Sequence, residues 1–323
     1  MALLEARGLN VSYVPAGGQR IWAVRDVDVA LEQGEFVGIV GESGSGKSTL
    51  GYALTRMLRP PAKLSSGVIT FDGTDIATLR GERLRRQRRN GFALVLQSGM
   101  NALNPVRTVA HHFGDVMKAH AQPGDDLSRA GVTSRATALL EAVRLDPDVL
   151  RRFPHELSGG MRQRVSIALA LALDPRLVVF DEPTTALDVI VQQAVMQTIK
   201  DLQRDRGFTA LLISHDLGVV LEATDRVMVM YAGRIVEEGP TEEVLRHPRH
   251  PYTQGLLGAA PRLTREKLAP IPGTVPALSA LPPGCAFAPR CPVHVDECDA
   301  AMPELVRVGD PAENHRARCI LVR

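Results

Sequence analysis

Between residues 3 and 40 apolar and polar positions alternate in short runs broken by turn residues. Leu9 to Tyr13 leads to Pro15-Ala16-Gly17-Gly18, and Ile21 to Val29 follows. A period of two bounded by Gly and Pro predicts antiparallel strands with one buried face. Glu35 to Val40 (EFVGIV) is instead apolar almost throughout, the pattern of a strand buried on both faces. It enters a glycine-rich turn at Gly41, and residues 48–58 then read as a helix stopped by Pro60-Pro61. A strand and loop region is expected at 67–79. Further buried strands are expected at Ala93–Leu96, Leu177–Phe180 and Ala210–Ile213. Residues 108–152 read as mainly helical with a polar interruption at 123–126. Helices are expected at 160–173, 188–206 and 217–223. Buried strands spaced by helices predict an α/β fold with a parallel sheet.

Near residue 240 the pattern fades and prolines crowd in, from Pro240 and Pro248 through Pro282-Pro283 to Pro311. This divides the chain into a large domain over 1–240, with a helical subdomain at about 100–170, and a small loop-rich extension over 241–323. The length of 323 residues agrees with one large domain plus an appendage. Hydrophobic residues at 45% and charged residues at 23% describe a folded chain, not a disordered one. The net charge of +2 argues against a strongly basic nucleic-acid binder, so no nucleic-acid partner is expected. The basic run RGERLRRQRRN at 80–90 has no interleaved aromatics and reads as a solvated helix face. The start MALLEA lacks the features of a secretory signal, and no apolar window is long enough to span a bilayer. The expected location is the cytosol, with a membrane partner left open.

The candidate chemistry starts at Gly41-Glu42-Ser43-Gly44-Ser45-Gly46-Lys47-Ser48, which fits G-x-x-x-x-G-K-[ST]. Glycines let the backbone curl so that its N–H groups face a phosphate chain, and the helix that follows points its positive end at the same phosphates. Lys47 would reach the β- and γ-phosphates, and Ser48 would offer its hydroxyl to Mg²⁺. The apolar run Leu177–Phe180 delivers Asp181 and Glu182 to a strand end. Asp181 is expected to help hold Mg²⁺, and Glu182 to act as general base on the attacking water. Leu157-Ser158-Gly159-Gly160-Met161 precedes a helical run, so Ser158, Gly159 and Gly160 form a second candidate anion site. A plain helix cap explains Ser158 but not both glycines. Two anion sites for one nucleotide make sense if each phosphate loop faces the Ser158 turn of a second subunit.

These motifs, in this order, resemble the nucleotide-binding subunits of ATP-binding-cassette (ABC) transporters over about residues 3–240, with LSGGM close to that superfamily's LSGGQ. The resemblance implies a P-loop NTPase cassette: a RecA-like parallel core, an antiparallel β subdomain and an α-helical subdomain. It implies an ATPase that binds ATP through Gly41, Ser43, Gly44, Ser45, Gly46, Lys47, Ser48 and Thr49, with Tyr13 stacking on adenine. Gln97 would sense Mg²⁺ and the attacking water, His215 would support the γ-phosphate, and Asp188 would communicate across the dimer. SGMNALNP after Gln97 departs from the family, which often has an acidic residue and proline there. His250-Pro251-Tyr252-Thr253-Gln254-Gly255-Leu256-Leu257 resembles the HPYT-x-x-LL element of oligopeptide and dipeptide importers. The implied partners are a second cassette, expected to be a paralogue, two membrane permeases and, indirectly, an extracytoplasmic solute-binding protein. The implied place is the cytoplasmic face of the membrane. Competing readings are a soluble cassette ATPase of DNA repair or translation, and a nucleotide-dependent redox sensor. One cassette with Ser158 only 111 positions after Lys47 (158 − 47) disfavours repair and translation enzymes.

Cys285, Cys291, Cys298 and Cys319 form C-x₅-C-x₆-C-x₂₀-C, without the close C-x₂-C pairs of most structural zinc sites. In a proline-rich extension with little core of its own, four thiolates suit a [4Fe–4S] cluster. Zinc and unligated cysteines are the other readings, and His294 and His315 are weaker candidate ligands.

Overall fold

The computed structural model describes residues 2–16, 18–96, 103–122, 124–259, 270–310 and 314–322. In chain order the strands are β1 (Ala2–Tyr13), β2 (Ile21–Glu32), β3 (Phe36–Val40), β4 (Ala62–Phe71), β5 (Thr74–Asp75), β6 (Phe92–Val95), β7 (Leu177–Asp181), β8 (Thr209–Ile213), β9 (Arg226–Tyr231), β10 (Arg234–Pro240), β11 (Val306–Arg307) and β12 (Arg316–Ala317). They belong to two compact units. The first comprises Met1–Glu32, Phe36–Ala77 and Leu212–Arg323; the second comprises Gln33–Glu35 and Thr78–Leu211.

In the first unit the alternating segments form the antiparallel sheet β2-β1-β4-β5. Leu4 lies opposite Leu31 on one side and Phe71 on the other, and all three are buried, as a period-two pattern with one core face requires. The second sheet of this unit pairs β3 in parallel with β9; β9, β10, β12 and β11 then run antiparallel in turn. All five residues of β3 are buried, which explains its unbroken apolar run. The helix Leu217–Ala223 approaches β3 closely at Gly38, where a Cβ would lie 2.2 Å from Val220 Cγ1.

In the second unit β6 and β7 are parallel, with Phe92 opposite Leu177 and Val95 opposite Phe180. Around them lie the helices Gly81–Gly91, Val109–Ala119, Arg129–Ala142, Gly159–Ala170 and Val189–Arg206. Side-chain caps fix several of their starts: Ser128, Ser158 and Asp188 each accept an N–H from the first turn.

The expected elements are present with shifted ends. The helix expected at 48–58 spans Lys47–Leu54, because the Thr55 hydroxyl donates back to Gly51 O at 3.0 Å and Arg56 turns left-handed (φ 56°). The strands β9 and β10 were not foreseen. In β10 the acidic pair Glu237 and Glu238 breaks the apolar signal although both are buried. The extension also holds more order than its prolines suggest. It contains helices Thr241–Arg246 and Pro251–Ala259, and β12 pairs with β10. No helix among the described residues is long and apolar enough to cross a membrane.

Glu237 organises this region. It accepts the backbone N–H groups of Arg249 (2.7 Å) and His250 (2.9 Å) and contacts His315 Nε2 at 2.8 Å. His250, 1% exposed, accepts the Tyr252 N–H at Nδ1 (3.0 Å), so its proton sits on Nε2. Burial pushes the His250 pKa down to about 4; Glu237 opposes the shift and Arg318 adds to it. The folded state therefore keeps His250 neutral while the unfolded chain protonates it near its ordinary value. The stability that depends on neutral His250 is fully present above its unfolded value of about 6.5 and is lost as the pH drops toward 4, about 3 kcal/mol in all. In equilibrium denaturation, His250→Asn, whose amide oxygen can replace Nδ1 as acceptor, should flatten this part of the pH profile. An unchanged slope would remove His250 as its cause.

Candidate functional site

The loop between β3 and the helix Lys47–Leu54 takes a path open only to glycine at two positions. Gly41 has φ 149°, and a Cβ there would lie 2.1 Å from Met230 O. Gly46 has φ 102°, and a Cβ there would lie 2.2 Å from Ala23 O. Gly233 N–H donates to Ser45 O at 2.9 Å and anchors the loop from the β9–β10 turn. Ser45 is buried and its Oγ has no hydrogen-bond partner among the described residues, an arrangement that suits an incoming acceptor. Lys47 Nζ folds back and donates to Gly41 O (2.7 Å) and Glu42 O (3.0 Å). Ser48 and Thr49 occupy the first helical turn, and Tyr13 at the end of β1 shares a hydrogen bond of 2.9 Å with Thr49 Oγ1. His215 follows β8 on the exposed turn that Asp216 caps through Val219 N–H. Tyr13, the phosphate loop and His215 all belong to the first unit.

The second unit holds Asp181, Glu182, Ser158, Gly159, Gly160 and Asp188. Asp181 is the buried last residue of β7. Glu182 follows with φ 48°, a left-handed conformation costly to a residue with a Cβ, and Thr185 Oγ1 donates to its Oε2 at 2.8 Å. Ser158 caps its helix by accepting Met161 N–H at 3.3 Å. The pair of glycines that a cap left unexplained now has a partial packing cause: a Cβ on Gly160 would lie 2.5 Å from Val191 Cγ1. Asp188 is likewise a helix cap, accepting Val191 N–H at 2.9 Å. Gln97 lies outside the described residues. The Ser48 hydroxyl in the first unit and the Asp181 carboxylate in the second are each oxygen donors of the hard type that suits Mg²⁺.

Two residues that touch the phosphate loop were missed. Tyr252 Oη accepts the Glu42 N–H, and Arg290 pairs with the Glu42 carboxylate. Tyr252 lay within the HPYT element, but nothing in the spacing tied it or Arg290 to residue 42.

Cys285, Cys291, Cys298 and Cys319 are free thiols that line one small cavity with His250 and Phe287. Burial pushes the thiols of Cys285, Cys291 and Cys319 up, and neighbouring cysteines add to it. Among the described residues, no group of three or more His, Cys, Asp or Glu side chains is placed to hold a metal ion. The expected cluster therefore has its four cysteines gathered but not in ligating geometry. The two histidines considered as substitutes are engaged elsewhere, His315 with Glu237 and His294 with Asp299.

Residues 24–185 match the family model described as ABC transporter, and residues 236–298 match that of the oligopeptide/dipeptide transporter C-terminal region. The chain is 44% identical to a putative peptide import ATP-binding protein of Brucella ovis, covering 98% of this chain and 96% of that one. It is 43% identical to a probable D,D-dipeptide transport ATP-binding protein, DdpD, of Escherichia coli, over 98% and 96%. It is 44% identical to the oligopeptide transport ATP-binding protein OppD of Mycobacterium tuberculosis, over 98% of this chain and 52% of that one. Among solved structures it resembles the dimeric bacterial ABC transporter cassette MJ0796, with a TM-score of 0.66 and 28% identity over 74% of this chain and 98% of that one. The same cassette in a post-hydrolysis state with ADP and Pi gives a TM-score of 0.64 at 29% identity, again over 74% and 98%. A P-loop cassette fold, a glycine-bound phosphate loop and this kinship lead to one statement: the chain belongs to the ABC transporter family, as one of its ATP-hydrolysing, ATP-binding subunits.

Proposed function

We propose that this ATPase powers import of di- or oligopeptides, or related small solutes, through an ABC transporter. The observation that carries the proposal is the 44% identity over 98% of the chain to a peptide import ATP-binding protein, joined to an extension of the oligopeptide/dipeptide type. The comparisons lend no support to the repair, translation and redox-sensing readings. The domain division that goes with it is a cassette over 1–240, its helical subdomain at about 100–170, and the transporter-type extension over 241–323.

In this reading backbone N–H groups of the loop other than that of Glu42 hold the phosphates of ATP, and Lys47 exchanges its two loop carbonyls for phosphate oxygens. Ser48 and Asp181 would supply oxygens for Mg²⁺, and Gln97 would sense that ion and the attacking water. Glu182 accepts that water's proton, His215 steadies the γ-phosphate and Tyr13 stacks on the base. Ser158, Gly159 and Gly160 of a partner cassette close the site, and Asp188 lies at the same interface. Val189 and Ile190, 71% and 80% exposed beside Asp188, support a covering partner, because two large apolar side chains at one helix start are left bare in the single chain. The partner is a paralogous cassette. Two permeases hold the pair at the cytoplasmic face, and a solute-binding protein delivers the cargo from outside.

A narrower part of the proposal concerns the extension: the four cysteines ligate a [4Fe–4S] cluster, ahead of zinc. What supports it is the convergence of four thiols on one cavity. Ligation requires those thiols to lose protons and shift together, so loading should improve as pH rises.

Two measurements test these readings. Glu182→Gln should keep ATP binding but cut turnover by roughly 10²–10⁴-fold, and should abolish peptide uptake in cells with the rest of the transporter intact. Full turnover in the variant would remove Glu182 as the base; normal uptake after loss of turnover would remove the import role. Anaerobically purified protein should show a broad visible absorption band with about four irons and four sulfides per chain, lost in Cys285→Ser. A colourless, iron-free and equally stable protein would end the cluster proposal.

A further inference from the structure

Glu42, the second residue of the loop, is tethered through both its backbone and its side chain. The Glu42 backbone N–H donates to Tyr252 Oη at 2.7 Å. Its carboxylate receives both arms of one guanidinium: Arg290 Nη1 to Oε2 at 2.7 Å and Nη2 to Oε1 at 3.0 Å. The Arg290 side chain is only 4% exposed, so this is not a solvated surface pair of small consequence. Two of its three remaining N–H donors are also engaged. Nε donates to Pro272 O at 2.9 Å, and Nη1 also reaches Tyr231 Oη at 3.3 Å. The guanidinium lies 5.9 Å from the ring centroids of both Tyr231 and Phe287. Tyr231, Tyr252 and Phe287 pack against one another with centroids 4.5–5.4 Å apart. A planar fork locked in an aromatic cage holds one orientation, which a lysine could not reproduce.

We propose that Arg290 and Tyr252 are positioning residues for ATP binding. They hold Glu42, and through it the whole loop, in the conformation that receives the phosphates. This rests on the reading of residues 41–48 as the ATP site. Neither residue touches a phosphate; both act by raising the fraction of time the loop is competent to bind. If untethering lowers that fraction to about one tenth, the apparent affinity for ATP falls about tenfold. Once nucleotide is bound its own contacts hold the loop, so the chemical step changes little.

The test uses the purified full chain, with the affinity for Mg²⁺-ATP read by titration and kcat and KM read from phosphate release. Glu42→Gln keeps the size of the side chain and removes the charge; Arg290→Lys keeps the charge and removes the fork. Each should weaken ATP binding and raise KM by about tenfold, with kcat within about twofold of the parent. In the Glu42→Gln background, Arg290→Lys should add less than about twofold, because both act through one contact. Parental affinity in the folded single variants, or independent losses that multiply in the double variant, would overturn the proposal. Lys47→Ala is the reference for the site itself. If it binds ATP as the parent does, the loop reading fails. If it loses ATP while Glu42→Gln and Arg290→Lys do not, only the positioning role fails.

Discussion

A backbone loop can surround a phosphate chain only if its N–H groups turn inward together, and that curvature depends here on two missing Cβ atoms. At Gly41 and Gly46 the loop presses against the carbonyl oxygens of Met230 and Ala23, closer than any side chain would permit. The two contacts come from different sheets of the first unit, β9 in one and β2 in the other. Sheet order is thus what places the walls of the loop. The buried run of β3 fixes where it starts, and the helix Lys47–Leu54 fixes where its dipole points.

This constraint explains which parts of the molecule were legible in sequence. A loop that tolerates only glycine at fixed spacing, followed by Lys and Ser, writes its geometry directly into residue identity. So do strands buried on both faces: β3, β7 and β8 read as unbroken apolar runs and fold as such. β10 was not legible, because Glu237 and Glu238 sit inside it. Their burial is made tolerable by Arg249 and His250 N–H groups, by His315 and by Arg226, partners 10 to 80 residues away that no local window contains. Arg290 was illegible for the same reason: its partner Glu42 lies 248 residues earlier.

The candidate catalytic residues divide in a similar way. Asp181 was readable from position alone, as the residue that ends an apolar strand. The left-handed turn at Glu182 was not, since glutamate carries no propensity for that conformation. An acidic residue is held there against its preference, where a glycine would follow β7 at lower cost. Ser158 and Asp188 show the opposite case. Each has a sufficient local task as a helix cap, so their geometry in one chain is satisfied without invoking a second. Beside Asp188 two large apolar side chains, Val189 and Ile190, stand exposed.

The extension joins these themes. A segment with this many prolines would ordinarily be a passenger, since it cannot bury enough apolar surface to order itself. Here it borrows order from the first unit. β12 takes its hydrogen bonds from β10, His315 takes its partner from β10, and Arg290 takes its partner from the phosphate loop. A borrowed contact works in both directions: whatever stabilises the extension also stabilises the element that lends it a partner. The cavity ringed by the four cysteines shares Phe287 with the cage around Arg290, and Cys291 is the next residue in the chain. Anything that tightened that cavity would therefore act on the same aromatic wall that aligns the guanidinium, and that wall meets the glycine-rich loop at Glu42, through the Arg290 ion pair and the Tyr252 hydroxyl.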